Sequence, residues 1–176
     1  MPLIQVTYME LLEAPRSVAR PRGGGPVVSD GITPDRIASE RLAPGPYLAL
    51  YRRVGGPYGW GARLRLPMGE LATILASDRT EILVARGPAG EPLGFCEHDR
   101  TGFPEVELKH FGLVSEAMGR GLGPRLLDAG LQAEWARGAT RIWLHTDVLD
   151  HRAALPLYRR AGFRVYQVRE EPSELL

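Results

Sequence analysis

The chain is expected to adopt an α/β fold on a mixed sheet. Three observations predict it. Segments alternating with period two are interleaved with segments of helical period, in the order strand, helices, three strands, helix, strand, helix, strand. The hydrophobic share is 44% and the charged share 24% over 176 residues, enough for one sizeable core and a single domain, 1–176. Glycine and proline, 21 and 15 residues, are concentrated in one region: residues 15–67 hold eight prolines and nine glycines. The first third is therefore irregular and the remainder conventionally patterned. No strict glycine period runs through the chain, which excludes a collagen-like fibre.

Taken in order, Ile4-Gln5-Val6-Thr7-Tyr8 alternates and reads as a first strand. Residues 14–46 are broken by prolines and by Gly23-Gly24-Gly25-Pro26, and read as loop with a helical turn near 35–41. A short helix is expected over 47–53, ended by Gly55-Gly56-Pro57. Pro67 opens a clearer one over 68–77, with Leu71, Ile74 and Leu75 on one face. Residues 81–86 and 92–98 flank Gly87-Pro88-Ala89-Gly90 and form a hairpin; residues 104–113 add a third strand. A strongly amphipathic helix follows over 121–137, stopped by Gly138. Residues 141–148 alternate again. A helix over 151–161 ends at Gly162, and 163–168 is the last strand. Pro156 is awkward inside that helix, so the helix either starts late or is kinked.

Net charge is +1, and the arginines are scattered among nearly as many acids. No field recruits nucleic acid. No run of about 18 apolar residues exists for a membrane helix, and no basic-then-apolar leader is visible. Cys96 is the one cysteine, so no internal disulfide forms. A cytoplasmic location and a small-molecule or peptide partner are the expectations, with a homodimer as the default assembly. The four histidines form no metal-like spacing, and no metal is expected.

The most informative segment joins the third strand of the hairpin unit to the long helix. It reads Phe111-Gly112-Leu113, then Met118-Gly119-Arg120-Gly121-Leu122-Gly123-Pro124. Three alternating glycines let backbone N–H groups approach a ligand, and a helix N-terminus adds partial positive charge. Pro124 is tolerated in a helix's first turn. The combination suits a phosphate or pyrophosphate. The spacing is neither the dinucleotide G-x-G-x-x-G nor a P-loop. Tight packing of the helix start is the competing explanation.

This segment resembles the acyl-CoA pyrophosphate loop of the GNAT superfamily of N-acetyltransferases, Arg/Gln-x-x-Gly-x-Gly/Ala. Gly121 and Gly123 match, while Met118 replaces the first Arg or Gln. A second segment, from His151 through Ala154, Leu157 and Tyr158 to Gly162-Phe163, is similar to the family's Asn-x-x-Ala-x-x-Leu/Phe-Tyr-x-x-x-Gly-Phe, with His151 in place of Asn. An unrelated nucleotide-binding domain leaves that second segment unexplained.

The resemblance covers roughly 80–170. It implies the GNAT acyltransferase fold, with a mixed, mostly antiparallel central sheet of about six or seven strands flanked by helices. Residues 80–170 would hold acetyl-CoA as cosubstrate, and 1–67 would supply the acceptor side. It implies transfer of an acetyl group to a primary amine in a ternary complex, with a non-catalytic acyl-CoA-binding module as the alternative. Gly112, Leu113, Met118, Gly119, Arg120, Gly121, Leu122, Gly123, Pro124 and His151 are its cofactor contacts. Glu107 is the candidate base, against Glu105 and His110 as competitors and a plain ion pair with Lys109 as the structural reading. Simple alternation points His110 to the opposite face from Glu107 unless a bulge re-aims it. Tyr158 is the candidate acid for the departing thiolate. Tyr58, Trp60 and His145 are candidate acceptor contacts.

Overall fold

The computed structural model describes residues 3–19 and 35–172. Seven strands form one sheet: β1 (Leu3–Leu11), β2 (Arg36–Ser39), β3 (Thr80–Arg86), β4 (Pro92–Asp99), β5 (Glu105–Leu113), β6 (Arg141–Asp147) and β7 (Arg164–Pro172). Their spatial order is β2-β3-β4-β5-β6-β1-β7, and every pairing is antiparallel except β5 with β6. Among the described residues four α-helices accompany it: α1 (Pro44–Gly55), α2 (Met68–Ala76), α3 (Leu122–Arg137) and α4 (Ala154–Ala161). This is the mixed, mostly antiparallel sheet expected.

Alternation along β4 shows how the layers divide. Phe95 and Glu97 face α1, whose Tyr47 stacks edge-on against Phe95 at 5.8 Å and donates to Glu97 at 2.5 Å. Cys96 and His98 face the other way, under Gly130 of α3. A methyl at Gly130 would stand 2.8 Å from both Cys96 Sγ and His98 Cε1, so glycine is what lets α3 approach the sheet this closely. On that side Arg100 forms a forked, buried ion pair with Glu134 of α3 at 2.6–3.1 Å.

Two local expectations are corrected. Residues 36–39 form the edge strand β2 rather than a helical turn: Ile37 pairs with Ala85 and Ala38 with Val84. Tertiary pairing with β3 overrides a weak local preference. The last helix begins at Ala154 rather than His151. Pro156 then lies in its first turn, where a missing N–H costs no intrahelical bond, and no kink is needed. The expected loop at 20–34 lies outside the described residues.

Candidate active site

The site is made by two strands parting. β5 and β6 pair only where Glu105, Val106 and Glu107 meet Arg141, Ile142 and Trp143. Beyond that point β6 continues with β1, through Thr146 opposite Thr7 and Asp147 opposite Val6, while β5 stays with β4 up to Leu113. A wedge opens between them, and the β5 edge facing it has no registered strand partner. A cleft of about 1510 Å³ fills the wedge, floored by Leu108 to Leu113.

Next to the parting point β5 carries a bulge. Glu97 pairs with His110 and His98 with Leu108, so Lys109 has no residue opposite it. One extra residue reverses the alternation after it. His110 therefore shares a face with Glu107, correcting the opposite-face expectation, and it lines the cleft. Its Nδ1 lies 2.9 Å from Glu97 Oε2, and its Nε2 3.4 Å from the Tyr51 hydroxyl. Glu97 also pairs with the buried Arg63. Burial alone would push the Glu97 carboxyl up, but His110, Arg63 and the Tyr47 hydroxyl outweigh it and hold the group well below the usual carboxylate range.

One end of the cleft is the glycine loop. Gly119 and Gly121 have φ of +75° and +77°, a region costly for residues with a Cβ. A methyl on either would meet nothing within 4 Å, and one on Gly123 would make only an ordinary 3.6 Å contact with Leu113. Tight packing therefore does not explain these glycines. Backbone conformation accounts for the first two, and Gly123 lines the cleft with no close neighbour that would demand a glycine for packing. Gly121, at the N-cap of α3, brings no side-chain acceptor to that helix's free N–H groups. Met118, Arg120, Pro124 and Arg125 complete this end. Leu122 is the exception among the expected cofactor contacts: its side chain is 1% exposed and belongs to the core.

The side walls come from distant segments. From α4 comes Tyr158, buried against Phe111 at 6.1 Å and Phe163 at 5.9 Å between ring centres. Burial, reinforced by Asp150, pushes its hydroxyl pKa up, so it stays protonated. His151 lies in the turn before α4 and meets Tyr58 edge-on at 6.1 Å. Trp60, from the turn after α1, reaches across to donate from Nε1 to Asp150 at 3.2 Å. Asp150 in turn accepts from Thr146 Oγ1 at 2.6 Å. Asp150 carries no signal of this role in the sequence. Ninety residues separate Trp60 from Asp150, and no local spacing signals such a pair.

Of the expected site residues, Tyr58, Trp60, Gly112, Leu113, Met118, Gly119, Arg120, Gly121, Gly123, Pro124, His145, His151 and Tyr158 all line this one cleft. Glu107 does not. It is 8% exposed, 3.1 Å from Lys109 Nζ, and borders a smaller pocket with Asp99, Glu105 and Trp143. Its other oxygen lies 3.7 Å from His145 Nε2, and His145 does face the cleft. Among the described residues no cluster of metal-ligating side chains occurs, and no helix is long and apolar enough to cross a membrane.

Residues 49–163 match the model of the acetyltransferase (GNAT) family. The chain is 36% identical over 103 residues to a mycothiol acetyltransferase of Clavibacter michiganensis subsp. michiganensis, covering 57% of this chain and 33% of that protein. It thus spans about a third of the curated relatives it matches. The fold is similar to that of a GCN5-related N-acetyltransferase from Sphaerobacter thermophilus, with TM-score 0.64 and 21% identity, over 96% of this chain and 50% of that one. It is also similar to an aminoglycoside acetyltransferase from an uncultured soil metagenomic sample, with TM-score 0.58 and 20% identity, over 74% of this chain and 91% of that one. A wedge between β5 and β6, closed at one end by left-handed glycines and flanked by Tyr158, thus coincides with the matched segment, and the chain belongs to the GNAT family of acetyltransferases.

Proposed function

We propose that this chain transfers an acetyl group from acetyl-CoA to a primary amine by direct attack within a ternary complex. The observation that carries this reading is the single cleft in which the glycine loop, the unpaired edge of β5 and Tyr158 meet. The curated relatives, named as acetyltransferases, support it. The loop of Gly119, Gly121 and Gly123 would receive the pyrophosphate on backbone N–H groups, with Arg120 and Arg125 adding charge. The thioester carbonyl would lie along the β5 edge near Gly112 and Leu113, where a backbone N–H can stabilise the developing oxyanion.

The acceptor arrives as an ammonium with an ordinary pKa near 10.4 and must lose a proton before it attacks. Glu107 is the proposed sink for that proton. Because its carboxylate stands behind the cleft wall, it would act through His145, which is half exposed at the cleft and lies between them. As the C–S bond breaks, the thiolate takes a proton from the Tyr158 hydroxyl, and the phenolate is reprotonated by the second proton that the new amide nitrogen must shed, so Tyr158 ends the cycle protonated. The acceptor side also presents Asp147 and Glu171, which suits a cationic amine.

The test is incubation of the protein with acetyl-CoA and a panel of primary amines, following free thiol and acetylated product. Thiol release that depends on an amine supports the proposal. Binding of acetyl-CoA without amine-dependent release would identify a non-catalytic acyl-CoA-binding module instead.

A further inference from the structure

We infer that Trp60, backed by Val54, sets the length of the acyl chain this site accepts, and that the accepted chain is the two-carbon acetyl group. The inference rests on the proposed function, because it takes the thioester to lie along the β5 edge at Gly112. The space directly over Gly112 on the α1 side is already filled. A methyl built on Gly112 would stand 2.6 Å from Val54 Cγ1 and 3.8 Å from the Trp60 ring. An acyl chain growing in this direction meets the same two groups.

Trp60 is not free to swing aside. Its indole lies directly on Gly55, where any Cβ would collide with the ring. Tyr51 packs against it at 5.5 Å, His110 at 5.2 Å and Phe95 edge-on at 6.3 Å between ring centres. Its N–H is tied to Asp150 across the cleft. Moving the ring breaks a hydrogen bond and disrupts several ring contacts at once, each favourable beyond its buried area. A methylene that a pocket cannot accommodate costs roughly 10- to 200-fold in kcat/KM.

The experiment measures kcat/KM for acetyl-, propionyl- and butyryl-CoA with one amine, for the wild type and for Trp60→Ala, Trp60→Phe and Val54→Ala. Dissociation constants for the same three thioesters are measured by calorimetry. In the wild type, butyryl-CoA is expected to fall at least about tenfold below acetyl-CoA. Trp60→Ala and Val54→Ala should narrow that gap, whereas Trp60→Phe, which keeps a ring but loses the N–H, should retain it. A wild type that uses butyryl-CoA as well as acetyl-CoA overturns the inference. So does an unchanged acetyl-to-butyryl ratio in both alanine variants. If Trp60→Ala shows no cooperative unfolding transition, Val54→Ala decides. If the wild type turns over no thioester, the proposed function fails, and the ratio of dissociation constants decides the inference. If it binds none of the three, both fall.

Discussion

Gly123 and Gly121 are two residues apart, yet substituting alanine for each should have opposite effects on stability. At Gly121 the backbone is left-handed, with φ +77°, and the added methyl meets no neighbour within 4 Å. The cost is therefore conformational alone, about 1–2 kcal/mol. For a chain of this size each kcal/mol moves Tm by roughly 2–4 °C, so Gly121→Ala should melt about 2–8 °C lower. Gly123 lies inside the first turn of α3 with no left-handed φ, and its methyl would make only an ordinary contact with Leu113. Alanine exceeds glycine in helix preference by up to about 1 kcal/mol, so Gly123→Ala should melt at the wild-type temperature or slightly above. Function should move the other way. Gly123 lines the cleft, so its methyl would stand beside the backbone N–H groups proposed to hold pyrophosphate. Losing one charge-assisted hydrogen bond, about 1.5–3 kcal/mol, raises KM for acetyl-CoA roughly ten- to a hundredfold. Thermal unfolding and steady-state kinetics on the two variants are sufficient. A Gly123→Ala protein with unchanged KM would refute the assignment of that glycine to ligand approach. Undiminished stability in Gly121→Ala would refute the conformational argument.

Two other perturbations bear on the chemistry and the core. Tyr158→Phe keeps the ring packed on Phe111 and Phe163, so Tm should hold. Loss of the proton donor should lower kcat about 100-fold or more, with KM for acetyl-CoA nearly constant; an unchanged kcat removes Tyr158 from the mechanism. His98 is buried between β4 and α3, and burial holds its pKa down at about 4, from 6.5. The unfolded chain takes up that proton near pH 6.5 and the folded chain only near 4, so stability should fall as pH drops through this window, by on the order of 3 kcal/mol, and be level above it. Urea midpoints between pH 4 and 8 read the slope, and His98→Gln should flatten it; a slope that survives the substitution assigns the effect elsewhere.

Much of this architecture was legible in the linear sequence because its causes are local. Leu71, Ile74 and Leu75 mark a helix face by spacing alone. Gly138 and Gly162 stop α3 and α4 with φ of +107° and +110°, conformations that glycine adopts without cost. The glycine loop and the segment from Ala154 to Phe163 are each contiguous in sequence, so the end of the cleft proposed to receive acyl-CoA could be read directly.

What sequence could not show depends on where strands meet and part. The strand β2 exists only because β3 offers it a partner. A single unpaired residue, Lys109, decides that His110 shares a face with Glu107, and register is a property of two strands together. The position of Glu107 behind the cleft wall, with His145 in front of it, follows from the short pairing of β5 with β6. The Trp60–Asp150 contact joins segments that local pattern treats as unrelated. Local chemistry determined the elements and the glycine loop. Long-range pairing, whose free energy is gained only when distant strands close on one another, decided which side chains face the cleft.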